Sequence, residues 1–280
     1  MSTGHVDRRS GAFKAASVPA NYERHLAPII FEDWAQRLVE TVGVKPGDSI
    51  LDVASGTGVV AREAARQAGR DGRVVAADVS EAMLAQAASH AARDDSAAIE
   101  FVAASASQLP LQSGSFDAVV CQQGLQFFSD KPAALAEMRR VLRPTGAVGL
   151  AVWAAGHRLQ PFDDYAEALA SAGVPPPFPR AFENDSFTMA SDTLADLLDG
   201  AGFAAPEIAI VEQQVVWPDA EAAAAGILGT PFGPLVSELP DVERAALFID
   251  LGQRFAPAAG TGAVERTTVS VIARAVASAG

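Results

Sequence analysis

The segment Leu51-Asp52-Val53-Ala54-Ser55-Gly56-Thr57-Gly58-Val59-Val60-Ala61 restricts this chain more than any other stretch of it. Residues 49–53 form a short apolar run of strand length, and residues 58–67 an Ala-rich stretch of helical period. The glycines between them permit positive φ angles and a close approach of backbone to a ligand. A buried strand that turns at once into a helix opens a βαβ unit, and such units pack as a parallel sheet covered by helices.

The next hundred residues keep to that pattern. Residues 73–77 read as a strand ending on Asp78, and residues 80–92 as a helix with Ser80 at the N-cap and Glu81 in the first turn. Further strands are expected at 99–103, 116–121 and 146–153, with a helix at 132–141 closed by Arg-Pro. Beyond residue 157 the pattern changes. Residues 158–190 carry scattered aromatics without a clear period, a short helix fits 191–200, and strands fit 207–216 and 265–276. Helices at 220–228 and 241–255 separate those two strands without a full crossover, so the pair is expected to run antiparallel.

Composition narrows the partners. There are 34 acidic against 21 basic residues, a net charge of −13. Nucleic acid is therefore excluded as an expected partner, since phosphate binding needs clustered cations. Hydrophobic residues make up 49% of the chain, enough for a sizeable core. Cys121 is the only cysteine, which rules out an intrachain disulfide and a Cys-rich metal site. No metal is expected. The first twenty residues lack an apolar signal core and no long apolar run follows, so a cytoplasmic protein without an integral membrane segment is expected.

Gly56-x-Gly58-x-x-Ala61, with Asp78 about twenty residues on, matches the dinucleotide fingerprint, so an NAD-dependent oxidoreductase has to be weighed. Asp52 speaks against it. An acid inside the first strand would sit beside a pyrophosphate that already carries two negative charges, whereas a ligand bearing an ammonium would welcome it. No Tyr-x-x-x-Lys pair is present either.

The motifs LDVASGTGVVA, VVAADVSEAML, FVAASASQLPLQSGSFDAVVCQQGLQFF and PAALAEMRRVLRPTGAVGLAVW occur in this order. Over residues 20–155 the chain thereby resembles the class I S-adenosylmethionine (SAM) methyltransferases, in their small-molecule branch of quinone and natural-product enzymes. The resemblance implies an α/β, doubly wound Rossmann-like seven-stranded sheet, with five parallel strands, a C-terminal antiparallel pair and inserted lid helices. It divides the chain into an N-terminal tail and lid helices (1–48), a SAM-binding core (49–155), and a C-terminal part of the same domain (156–280). Acceptor-pocket insertions would occupy 158–190 and 218–262.

By the same resemblance Asp52 would lie near the methionine ammonium, and Ala54, Ser55, Gly56, Thr57 and Gly58 would wrap the methionine and ribose. Asp78 would accept both ribose hydroxyls, Val79 and Met83 would flank the adenine, and Ser105 and Ala106 would meet its edge. Gln122 would sit beside the methionine, and Tyr22 would belong to a lid over the cofactor. Two positions depart from the family pattern: Ala54 replaces its first glycine, and Ser105 stands where an aspartate usually receives the adenine amino group. The implied cofactor is SAM, with S-adenosylhomocysteine (SAH) as product.

Methyl transfer needs a base only if the acceptor must lose a proton. His157, just past the fifth strand, is the candidate, with an exposed loop histidine as its alternative reading. His5 and His90 read as surface residues, Phe127 and Phe128 as core, and Cys121 as a small buried hydrophobe. Phe162, Tyr165, Phe178, Phe182, Phe187, Trp217 and Phe232 are candidates for an apolar acceptor pocket. The expected function is methyl transfer to an O or C atom of a small hydrophobic metabolite. The alternatives are a SAM-binding cyclase or isomerase that does not methylate, a non-enzymatic binding module and the NAD oxidoreductase. The expected partner is a small-molecule methyl acceptor, with a homodimer left open.

Overall fold

Alternation along the first strand, β1 (Ser49–Val53), sends Ile50 and Asp52 to one face of the sheet and Leu51 and Val53 to the other. Both faces are covered, so the strand has no room for the polar alternation of a half-exposed sheet. The computed structural model describes residues 18–90, 95–174, 187–256 and 262–277. The later strands are β2 (Arg73–Asp78), β3 (Ala98–Ala103), β4 (Phe116–Gln122), β5 (Leu142–Trp153), β6 (Phe203–Trp217) and β7 (Val264–Ala277). They form one seven-stranded sheet in the order β3-β2-β1-β4-β5-β7-β6. The first five run parallel, and β7 pairs antiparallel with both β5 and β6.

Ahead of β1 lie α1 (Val18–His25), a π-helical turn (Ala27–Phe31) and α2 (Glu32–Val42). The helices that follow are α3 (Val59–Ala68), α4 (Glu81–Ala88), α5 (Lys131–Val141), α6 (Phe162–Ser171) and α7 (Ser191–Gly200). The last three are α8 (Ala220–Ala225), α9 (Gly233–Glu238) and α10 (Asp241–Arg254). Their starts follow from the sequence. The Ser80 hydroxyl accepts the Met83 N–H, and Asp130 and Asp219 accept the N–H groups of Ala133 and Ala222 at 2.9 and 2.7 Å. Helices α2 and α3 pack on the Ile50 face, where Trp34, Leu38 and Ala61 are buried. Helices α5 and α7 cover the Leu51 face through Leu135, Met138, Leu194 and Leu198.

The expected doubly wound sheet and its antiparallel pair are present, with Glu207 opposite Arg274 and Val216 opposite Glu265. Three details differ from the sequence expectation. Strand β5 starts at Leu142, because the chain re-pairs Leu142 with Phe116 before a register shift that passes Thr145 at φ +71°. The helix expected at 220–228 ends at Ala225 and tightens into a 3₁₀ turn (Gly226–Gly229). Residues 162–171, read as aperiodic, form α6, whose buried side combines Tyr165 and Leu169 with small alanines. The Pro-rich run after Val174 lies outside the described residues.

The N-terminal helices are fastened to the far end of the chain by one buried hydrogen bond, in which Trp34 Nε1 donates to Thr268 Oγ1 at 3.0 Å. Both residues are fully buried. Replacing Thr268 with valine keeps the shape and leaves the indole N–H without a partner. Thr268→Val should therefore cost about 1–3 kcal/mol, read as a lower urea midpoint with unchanged slope.

Candidate functional site

The order of the sheet reverses between β1 and β4, and a crevice opens there at the carboxyl ends of the strands. The loop leaving β1 makes its floor. Ala54, Gly56 and Gly58 adopt positive φ of 57°, 55° and 83°. For Ala54 this is a strained conformation, and its methyl has room because Gly124 packs directly against it. A Cβ on Gly124 would fall 2.7 Å from Ala54 Cβ and 2.9 Å from Cys121 Sγ. The alanine that departs from the family pattern is thus matched by a glycine in the loop after β4.

Asp78, at the end of β2, ties the floor together. Its Oδ2 accepts the Gly56 N–H and its Oδ1 the Ser80 N–H, both at 2.8 Å. Burial raises its pKa, and these N–H donors partly offset that rise. Asp52 lies beneath it, 1% exposed, with neither carboxylate oxygen hydrogen-bonded. Burial first, and then the Asp78 charge, push Asp52 well above the ordinary carboxylate range. Ser55 Oγ, Thr57 Oγ1 and Gln122 Oε1 are likewise buried without a partner. Buried polar groups are nearly always satisfied, so unpartnered acceptors and hydroxyls gathered around one loop mark the place of a polar ligand.

Two cavities meet at this floor, sharing Ala54, Asp78, Val79, Phe127 and Phe128. The smaller, of about 230 Å³, is also lined by Tyr22, Gly56, Met83 and Gln122 at one end. Its walls include eight aromatic residues: Tyr22, Phe31, Phe127, Phe128, Trp153, Phe162, Phe187 and Phe232. The other, of about 290 Å³, runs past Ala104, Ser105, Ala106 and Ser107. Tyr22 stacks on Phe31 with ring centroids 4.9 Å apart, and burial followed by the Glu23 charge raises its phenol pKa. Glu23 anchors α1 by accepting from Arg62 at 2.6 Å, while Arg62 donates to the Thr57 carbonyl.

Of the residues expected at the cofactor, Tyr22, Ala54, Gly56, Asp78, Val79, Met83 and Gln122 line the first cavity and Ser105 and Ala106 the second, while Asp52, Ser55, Thr57 and Gly58 lie buried at the glycine loop and line neither. His157 does not join them. It stands in the turn after β5 and lines neither cavity. His90 is no simple surface residue, since its Nε2 lies 3.1 Å from Glu23. Phe127 and Phe128, read as core, line both cavities. Of the acceptor-pocket aromatics, Phe162, Phe187 and Phe232 line the cavity, Tyr165 and Trp217 are core, and Phe178 and Phe182 lie outside the described residues. Cys121 is buried, with its thiol pushed up to about 12, and is inert. Sequence reading missed Phe31, Trp153, Leu159, Asp163, Gly229, Thr230 and Pro231. Only Trp153 carried a signal, as the last residue of a strand whose carboxyl end faces the crevice.

The donor set suits SAM. An unpaired buried acid answers an ammonium, and the two oxygens of Asp78 retain lone pairs for a ribose diol. A pyrophosphate would meet two carboxylates here, which disfavours a dinucleotide.

Comparison with known proteins agrees with the geometry. The ubiE/COQ5 methyltransferase family matches residues 17–208. The ubiquinone/menaquinone biosynthesis C-methyltransferase UbiE of Hahella chejuensis is 42% identical over 117 residues, 40% of this chain and 46% of that protein. The protein of the same description from Teredinibacter turnerae is 35% identical over 150 residues, 50% of this chain and 57% of its own. The chain thus spans about half the length of these curated relatives. Among solved structures, the phosphoethanolamine N-methyltransferase 2 of Haemonchus contortus superposes with a TM-score of 0.57 at 15% identity, covering 99% of this chain and 58% of that one. The [4+2]-cyclase SpnF gives 0.52 at 20% identity, covering 89% and 81%. At such identities these two likenesses establish the fold alone. On the family match over more than half of its length, the chain belongs to the ubiE/COQ5 methyltransferase family, whose members bind SAM.

Proposed function

We propose that this chain transfers a methyl group from SAM to a small hydrophobic acceptor of the phenol or quinone type, at a ring carbon. The observation that carries this reading is the meeting of the two cavities on shared walls at Ala54, Asp78, Val79, Phe127 and Phe128, acidic at the glycine loop and aromatic beyond it. Receipt at carbon rather than oxygen is supported by the two relatives described as C-methyltransferases.

Bound in the crevice, SAM supplies an electrophilic methyl on a positively charged sulfur. Asp52 holds the ammonium, Asp78 the ribose hydroxyls, and Ser105 with Ala106 the adenine edge between Val79 and Met83. Gln122 steadies the methionine end, its amide fixed by donating to the Phe31 carbonyl at 3.1 Å. Tyr22 closes over the cofactor, and the aromatic walls exclude water and hold the acceptor in line with the methyl. In-line displacement depends mainly on such positioning.

Calorimetric titration with SAH tests the cofactor half. Binding should weaken by about tenfold or more in Asp78→Ala, a loss of at least about 1.4 kcal/mol. Unchanged binding would remove Asp78 from the site.

Asp52 gives a pH dependence of definite sign. Its folded-state pKa is raised, so its contribution to stability is complete below the ordinary carboxylate range and is lost as pH rises toward the raised value. An ammonium brought against it favours the ionised form, so SAH affinity should rise with pH through that window. Asp52→Asn should flatten the dependence and stabilise the ligand-free protein at neutral pH. A dependence that survives the substitution would rule out this role.

Incubation with SAM and a hydroquinone should add about 14 Da to the acceptor, with the new methyl on carbon by NMR. An acceptor rearranged without mass gain would point to the cyclase or isomerase reading.

A further inference from the structure

On the acceptor side of the cavity one side chain breaks the apolar lining. Asp163 is the second residue of α6 and follows Phe162, whose ring lies 6.0 Å from that of Trp153. Trp153 is in turn 6.1 Å from Phe31, on which Tyr22 stacks. A ladder of rings thus leads from the cofactor end to Asp163. Among the described lining residues the ionisable ones are Tyr22, Asp78 and Asp163. Tyr22 shares the surroundings of Asp52 and Asp78, and Asp78 is engaged with the glycine loop. Asp163 alone is left to meet the acceptor.

Its hydrogen bonding leaves it half committed. Oδ2 accepts the Leu159 N–H at 2.7 Å, which fixes the carboxylate, while Oδ1 takes no hydrogen bond from the described residues. Arg158, beside it in the preceding turn, is directed at Asp164 and Glu167, at 2.7 and 2.8 Å. Arg254 of α10 and Arg266 of β7 are turned to the same two acids, at 3.1 and 3.8 Å. These three arginines pair with Asp164 and Glu167, and among the described residues Asp163, which lines the cavity, has no ion-pair partner, although the Arg158 charge still acts on it.

We infer that Asp163 is the general base for the acceptor, its carboxylate receiving the proton of a ring hydroxyl and selecting phenols and hydroquinones over apolar molecules that lack one. The inference rests on the methyl-transfer reading above and deepens it. Asp163 takes the hydroxyl proton, and the oxygen's electron pair is delocalised into the ring. The ring carbon para or ortho to that oxygen forms its bond to the methyl while the S–CH₃ bond breaks, its electron pair passing to sulfur. The same carbon then releases its own proton to solvent, the ring regains aromaticity as a phenolate, and Asp163 returns the hydroxyl proton to its oxygen. Because charge spreads through the ring, the oxygen at Asp163 and the carbon at the methyl need not be adjacent. Burial and the charges of Glu167 and Asp164 raise the Asp163 pKa, against the opposing effect of the Leu159 N–H and Arg158. A base of raised pKa is better matched to a phenol.

The test uses the full chain saturated with SAH, with 1-naphthol as probe and 1-methoxynaphthalene as the isostere that has no proton to give. Wild type should bind 1-naphthol about tenfold more tightly than the ether, and the preference should grow as pH rises through Asp163 ionisation. Asp163→Asn keeps an oxygen for the Leu159 N–H, so SAH binding should be unchanged. In that variant the preference and its pH dependence should vanish, and methylation turnover should fall by about a hundredfold or more. Equal binding of the two probes to wild type would overturn the inference without recourse to any variant. So would a preference that persists in Asp163→Asn. Failure of wild type to bind SAH would instead sink the methyl-transfer reading, and this inference with it.

Discussion

Two backbone N–H groups on one carboxylate hold the crevice together. Asp78 joins the loop of β1, through Gly56, to the start of α4, through Ser80. These are separate βα turns that the sheet alone would leave free to move apart. A buried carboxylate is costly, and charge-assisted bonds from fixed N–H groups are among the few interactions that offset such a cost. With the loop held, Gly56 and Gly58 keep their left-handed backbone and the N-terminus of α3 points into the crevice. The positions of Ala54, Val79 and Met83 all follow from this clamp.

The same clamp leaves the protein with an electrostatic imbalance at its centre. The Asp78 charge opposes ionisation of Asp52, and no cation forms an ion pair with Asp52 among the described residues, although the Ala61 N–H and the Arg62 charge act in the opposite direction. The nearest guanidinium, on Arg62, is spent on Glu23 and the Thr57 carbonyl. A site tuned only for stability would place an arginine or an apolar residue there. An acidic cradle without its counter-charge is stable at modest cost only while Asp52 stays protonated, and it gains most when a cation arrives. That is a preference for a cationic ligand written into the unliganded fold.

Much of this architecture could be read from the sequence because it depends on local rules. Strand alternation, the glycine loop and the caps Ser80 and Asp130 fixed five parallel strands and their helices to within a few residues. The expected cofactor positions came from the family resemblance rather than from those rules, and several of them sit on the turns those elements define. What escaped was decided by contacts distant in sequence. Phe31 and Trp153 become neighbours only when the N-terminal helices fold across the sheet, and α6 has no clear apolar period because its five buried residues include two alanines and Asp164. Phe127 and Phe128 look like core residues in any linear reading, and only the opening at the switch point turns them into walls. His157 had the right chemistry near the right strand end, but its turn carries it outside the cavities, while Asp163 six residues on is brought back by the start of α6.

The division of the cavity into an acidic end and an aromatic end bears on how a sulfonium could be held between them. A cation lowers its energy against carboxylates and against the electron-rich faces of aromatic rings, and both surroundings are present within one crevice. Six of the eight rings are phenylalanines, which add attraction without supplying a nucleophile or a hydrogen-bonding group. They are also apolar enough to keep water from the reacting centre, where it would screen the charge that drives the displacement. Burial of Cys121, whose thiol would otherwise compete as a nucleophile, belongs to the same logic. Under the proposed methyl transfer, with a cation attracted at one end and Asp163 placed to take a proton at the other, the nucleophile would be the acceptor in the aromatic chamber.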